Sequence, residues 1–194
     1  MNSIKKKKSI LLVGVGGQGT ILASKLLTIG LMEHGYDVKM SEIHGMSQRG
    51  GSVSSQVIYG DAVYSPVIEK GGADILVAFE KMEALRWMEC LMPGGKVIVN
   101  DYQINPMPVI QEMRDYSDKI LEEIQQAAPT KVINATEEAE KMGNGKIMNI
   151  ILLGATIKLM GLENIDWETI IRKNVKPAFA ELNIKAFEKG MEQV

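Results

Sequence analysis

Cysteine is almost absent from this 194-residue sequence: Cys90 is alone. A lone cysteine excludes a disulfide within the chain and suits a reducing compartment, so a cytoplasmic location is expected. It also excludes a cysteine-ligated iron–sulfur cluster built from this chain by itself. Histidine is nearly as scarce. His34 and His44 are the two present, too few for a histidine metal site, and no zinc spacing accompanies them. Aromatic residues make up 5% and net charge is −2, so neither a base-stacking surface nor a basic footprint for nucleic acid or an anionic membrane is expected. No apolar run is long enough to span a bilayer. "IMNIILLGATIKLMGL" is interrupted by Asn149 and Lys158 and reads as a buried helix. Lys5–Lys8 mimics the start of a signal peptide, but the apolar part that follows is too short, and it reads as a solvated lead-in to a strand.

What the chain has is an ordinary globular mixture, 45% hydrophobic and 24% charged, with glycine clusters at the ends of apolar runs. Its length suits one domain over 1–194. "SILLVGVGGQGTILASKLL", Ser9 to Leu27, passes from an apolar run through Gly14–Gly19 into a helical pattern ending at His34-Gly35. Tyr36–Glu42 reads as a second strand, which predicts a Rossmann-like βαβ unit. Ser52–Tyr59 alternates polar and apolar residues, Gly60-Asp61 signals a turn, and Ala62–Ile68 resumes the alternation. That pattern predicts an inserted β-hairpin with Pro66 on its edge strand.

Further strands are expected at "ADILVAFE", "KVIVND" and "TKVINA", with "MPGG" as a turn and Pro106 and Pro108 in a loop. Helices are expected at Lys81–Cys90, Ser117–Ala127, Thr136–Met142, Lys146–Met160 and Ala178–Gly190, and over "WETIIRKNV" with Asp166 as its cap. The inserted hairpin makes the expected sheet of this α/β chain a mixed one.

Two loops carry the candidate chemistry. Gly14, Gly16 and Gly19 satisfy G-x-G-x-x-G, with Gly17 and Gln18 between them. Glycines there let backbone amides approach an anion at a helix N-terminus, or only permit tight strand-to-helix packing. The second loop, "SEIHGMSQRGG", gathers Glu42, His44, Ser47, Gln48, Arg49, Gly50 and Gly51 after a strand. Arg49 suits two parallel hydrogen bonds to a carboxylate or phosphate, and His44 can move a proton near neutral pH. The plainer alternative is an internally bonded loop with Glu42 paired to Arg49. Glu42 also stands where a dinucleotide fold holds ribose hydroxyls, which leaves a stand-alone NAD(P)- or flavin-binding protein open. No Walker lysine or nucleophile elbow is present. Cys90, Trp87 and Trp167 read as packing residues, and no residue is assigned a catalytic role.

Taken together, "VGVGGQGTILASKLL" and "SEIHGMSQRGGSVSSQVIYG" resemble the gamma subunit, or gamma domain, of 2-oxoacid:ferredoxin oxidoreductases. "HGMSQRGG" most resembles the arylpyruvate branch, in which the gamma-type chain is the beta subunit of indolepyruvate:ferredoxin oxidoreductase. The similarity continues through "ADILVAFEKMEALRW", "GGKVIVND", "NGKIMNIILLGA" and "NIKAFEKG", nearly the whole chain.

The resemblance implies a three-layer α/β/α domain with a mixed, mostly parallel sheet. It also implies that a larger alpha subunit holds thiamine diphosphate, magnesium and [4Fe–4S] clusters, and that no cofactor is bound by this chain alone. The whole enzyme would convert a 2-oxoacid to an acyl-CoA and pass electrons to ferredoxin. This chain would shape the side of the site where coenzyme A meets the acyl group, and would be inactive by itself.

Overall fold

The computed structural model describes residues 7–44, 50–113 and 115–194. Its strands are β1 (Lys8–Val15), β2 (Asp37–His44), β3 (Ser52–Gly60), β4 (Ala73–Ala78), β5 (Leu91–Asn100) and β6 (Thr130–Ile133). Its helices are α1 (Thr20–Glu33), α2 (Lys81–Trp87), α3 (Met107–Ile110), α4 (Ile120–Ala127), α5 (Ala135–Lys141), α6 (Met148–Met160), α7 (Trp167–Asn174) and α8 (Ala180–Met191). The strands form one six-stranded sheet in the order β2-β3-β1-β4-β5-β6. β3 runs antiparallel to both its neighbours, and the pairs from β1 through β6 are parallel. The sheet is therefore mixed and mostly parallel, as expected.

The continuous apolar run of β1 is explained by burial on both faces. Ile10 and Leu12 join a core with α1, α6, α7 and α8, while Leu11 and Val13 join a second core with α2 and α4. Parallel strands sandwiched between helices need apolar residues at every position. Lys8, expected as solvated lead-in, begins β1 and pairs with Asp74 at 2.6 Å. Asp166 caps α7 as expected, accepting from the Thr169 N–H at 3.1 Å.

Several expectations need correcting. First, β1–α1–β2 is not an adjacent βαβ pair, because β3 is inserted between its two strands. Second, the hairpin is β2–β3 rather than Ser52–Tyr59 with Ala62–Ile68, and residues 62–68 form no strand. Side chains meet the backbone there instead. Gln56 Oε1 accepts from the Ile68 N–H at 2.6 Å, and Asp37 Oδ2 accepts from the Val63 N–H at 2.7 Å. Third, "MPGG" lies inside β5, where the register with β4 shifts, and Met107–Ile110 is a short helix rather than loop. Pro108 falls in that helix's first turn, where a missing N–H costs nothing.

Candidate functional site

The carboxyl ends of β1 and β4 are the crevice where open α/β sheets hold ligands. The two glycine loops meet there. The Gly16 N–H donates to the Gly51 carbonyl at 2.8 Å, and the Gly50 N–H lies 3.5 Å from the Gly16 carbonyl. The structure thus brings Gly14–Gly19 and Gly50–Gly51 together. Ser47, Gln48 and Arg49 lie outside the described residues. His44 ends β2 opposite Val53.

The glycines divide by task. A Cβ on Gly14 would crowd Phe79 Cβ at 2.9 Å and Gln18 Oε1 at 2.8 Å, so Gly14 serves packing. Gly19 sits at φ 81°, a left-handed conformation that favours glycine. Its carbonyl accepts from Asn149 Nδ2 at 3.1 Å, which ties the start of α1 to the start of α6. Gly17, at φ 106°, is exposed and faces open space.

Gln18 is consumed internally. Its Oε1 accepts from the Val15 N–H at 2.8 Å and its Nε2 donates to the Phe79 carbonyl at 3.0 Å. Its amide therefore ties the ends of β1 and β4 together. The amino end of α1 carries no side-chain cap and no acid in its first turn. Its first amides, beside the open Gly17, suit an anion better than a cation.

Glu42 lies half-buried on β2 with one carboxylate oxygen 3.4 Å from the Ser24 hydroxyl of α1. It is separated from β1 by the whole of β3. That is two strand spacings, about 9–10 Å. The acid of a dinucleotide fold stands on the strand next to the glycine turn, so this placement does not favour the stand-alone nucleotide reading.

Beside the glycine loops lies an open cleft of about 380 Å³, bordered by Val15, Gly50, Ser52, Arg86 and Ile104. Its floor is a network that sequence reasoning missed. Glu80, 1% exposed, caps α2 by accepting from the Glu83 N–H at 2.9 Å. Its other oxygen accepts from the Tyr116 hydroxyl at 2.6 Å and the Ile104 N–H at 3.1 Å. Burial, then the Glu80 carboxylate, pushes the Tyr116 hydroxyl far above the ordinary tyrosine range.

Glu83, also buried, accepts from the Ser52 hydroxyl at 2.5 Å and pairs with Arg86 at 2.9 Å. The available sequence signal was Glu80-x-x-Glu83 directly after a buried strand, a variant of the capping box. Because both carboxylates are spent on hydrogen bonds, the floor holds its loops in place.

Among the described residues, no group of three or more His, Cys, Asp or Glu could hold a metal ion. Cys90 is buried, and burial, then the neighbouring Glu89, pushes its thiol up. No helix among the described residues is long and apolar enough to cross a membrane.

Residues 9–193 match the family described as pyruvate ferredoxin/flavodoxin oxidoreductase. The chain is 36% identical over 195 residues to indolepyruvate oxidoreductase subunit IorB of Pyrococcus horikoshii, covering 96% of each chain. It is 29% identical over 192 residues to 2-oxoglutarate synthase subunit KorC of Methanothermobacter marburgensis, covering 97% of each. Among solved structures it is similar to the keto/oxoacid ferredoxin oxidoreductase gamma subunit of Geobacter sulfurreducens PCA. There the TM-score is 0.71 at 26% identity, over 96% of this chain and 97% of that one.

Proposed function

The chain belongs to the pyruvate ferredoxin/flavodoxin oxidoreductase family, and from that premise we propose that it is the small, non-redox subunit of an enzyme acting on indolepyruvate or a related arylpyruvate. The observation that carries this reading is the difference in identity, 36% to an indolepyruvate oxidoreductase subunit against 29% to a 2-oxoglutarate synthase subunit, each over nearly the whole chain. The assembled enzyme decarboxylates the 2-oxoacid, releases carbon dioxide, passes two electrons to ferredoxin and joins the remaining acyl group to the thiol of coenzyme A.

In this reading a larger alpha subunit holds thiamine diphosphate, magnesium and the iron–sulfur clusters. The present chain supplies surface rather than electrons, and its single cysteine accords with that division. The uncapped amino end of α1 and the open Gly17 would receive an anionic portion of coenzyme A. Glu42, His44 and Arg49 would lie beside that approach or at the subunit contact. Gln18 and Gly14 act one step back, by fixing the turn.

The test is anaerobic purification of the tagged chain from its native cells, with mass spectrometry and iron and thiamine analysis. A stoichiometric larger chain carrying both, and turnover of arylpyruvates with coenzyme A faster than pyruvate or 2-oxoglutarate, is expected. A stable lone chain without cofactors overturns the subunit reading, and faster 2-oxoglutarate turnover overturns the substrate class. In the assembled enzyme, Arg49→Ala is expected to raise KM for coenzyme A at least several-fold. Unchanged assembly, turnover and coenzyme A dependence would remove Arg49 from the site.

A further inference from the structure

The two edges of the sheet are treated differently. β6 is four residues long, follows Pro129 and exposes Lys131. Shortness, proline and lysine are the usual means of blunting an edge against another strand. β2 has none of these in effect. It runs eight residues in unbroken register with β3, about 27 Å, without proline or bulge. Its one lysine, Lys39, is bonded to Asp37 on the same strand and face.

Met40 is 37% exposed and Ile43 52%. The neighbouring α1 exposes Ile21 and Met32 at 47% and 58%. Met40 turns towards α1, since its sulfur lies 3.4 Å from the Thr28 hydroxyl.

The strand's own sequence selects an occupant. A two-fold axis normal to the sheet keeps each face continuous, so one residue of β2 must lie opposite itself. An axis at Lys39 or Glu42 would oppose like charges directly, which destabilises a pair. An axis at Ser41 also opposes no like charges, but it sets Met40 against Glu42 and Lys39 against Ile43 of the second copy and so pairs no two exposed apolar residues. An axis at Met40 sets Met40 against Met40, Val38 against Glu42 and Lys39 against Ser41, with no like charges directly opposed. It also brings the exposed residues of both α1 helices towards the same side.

We propose that β2 is the contact through which two copies of this chain form a two-fold dimer, with their sheets joined in antiparallel register about Met40. This contact does not involve the Gly17 approach at the end of β1, but it shares β2 with Glu42 and His44 and therefore competes with a place for those two residues at the alpha-subunit contact.

Sedimentation of the full chain at tens of micromolar tests it. The wild type is expected at twice 21.4 kDa, and Met40→Lys at the single-chain mass with an unchanged circular dichroism spectrum. The register has its own check. Met40→Cys should link to itself under mild oxidation, while Ile43→Cys, which would face Asp37, should not. A monomeric wild type, a dimer that survives Met40→Lys, or links from Ile43→Cys instead of Met40→Cys would each overturn the proposal. So would a Met40→Cys link running to a different chain in the native complex, which would assign the edge to a partner strand.

Discussion

The two helical layers on this sheet are built on different principles. The α1, α6 and α8 layer is built mainly of aliphatic residues, with a few buried polar ones such as Ser24, Asn149 and Thr156, and every residue from Met148 to Ile157 is buried. Its centre is a crossing of α6 and α8 so close that glycine is required on both sides. A Cβ on Gly154 would fall on the Phe187 carbonyl, and one on Gly190 on the Ile151 carbonyl. The α2 and α4 layer has short helices and depends on a buried polar hub at Glu80. The first layer supplies stability, and the second holds the cleft in shape. Both meet the glycine loops, one through Asn149 on Gly19 and the other through Glu83 on Ser52.

The comparison breaks most severely at the crossing. Gly154→Leu has no flexible neighbour to displace, because backbone would meet the new side chain on the facing helix. A loss of more than about 4 kcal/mol, beyond the usual range for overpacking, is expected. It would appear as failure to give a soluble folded chain, or as a collapse of the urea midpoint.

The hub gives the second effect. Glu80→Ala leaves the Ile104 N–H, the Tyr116 hydroxyl and the start of α2 without their acceptor. About 3 kcal/mol is expected from urea unfolding. Glu80→Gln should cost less, since one amide oxygen still accepts. If Glu80→Ala costs as little as an exposed substitution, the cleft floor is not held by this carboxylate.

The layers also differ in how far the sequence revealed them. The apolar run of β1 and the continuous hydrophobicity of α6 are local signals, and both elements form where the pattern puts them. The α6–α8 crossing was hidden because a helical glycine looks the same whether it weakens a helix or admits a neighbouring backbone. Residues 62–68 alternate like a strand, yet Asp37 and Gln56 take the Val63 and Ile68 amides from elsewhere, and no local pattern distinguishes the two. β3 enters between β1 and β2 through long-range pairing, which also hid the meeting of Gly16 with Gly51. At the site, both loops were visible as loops. The internal use of Gln18 and the Glu80 network depend on contacts with residues tens of positions away.

A third test concerns the apolar layer's response to alkali. Tyr59 lies in that core, its ring edge-on to Tyr36 at 4.9 Å. Burial, then the nearby Tyr36 and Asp74, pushes its hydroxyl from 10.0 up to about 12. The folded state therefore holds the proton after the unfolded state has released it. The stability is intact below pH 10 and is lost as pH rises from 10 to 12, by about 2 kcal/mol. Tyr59→Phe should flatten that decline in a series of urea titrations, whereas an unchanged pH slope would assign the decline to other groups.

The smallest expected effect sharpens the comparison from the cleft side. Ser54 on β3 is 1% exposed, and among the described residues its hydroxyl has no hydrogen-bond partner. It lies between Ser52, which bonds Glu83, and Gln56, which bonds the Ile68 amide, on the same face of the strand. Both neighbours are used to hold the cleft-side layer, while Ser54 bears the cost of a buried polar group without a bond. Ser54→Ala removes that cost along with one small atom, so unfolding should be neutral or gain up to about 1 kcal/mol. A loss of that size would mean that the hydroxyl is bonded in solution, by water or by a residue outside the described ones. The polar stripe on β3 would then be continuous from Ser52 to Gln56, and the cleft-side layer would depend on one more hydrogen bond than its geometry shows.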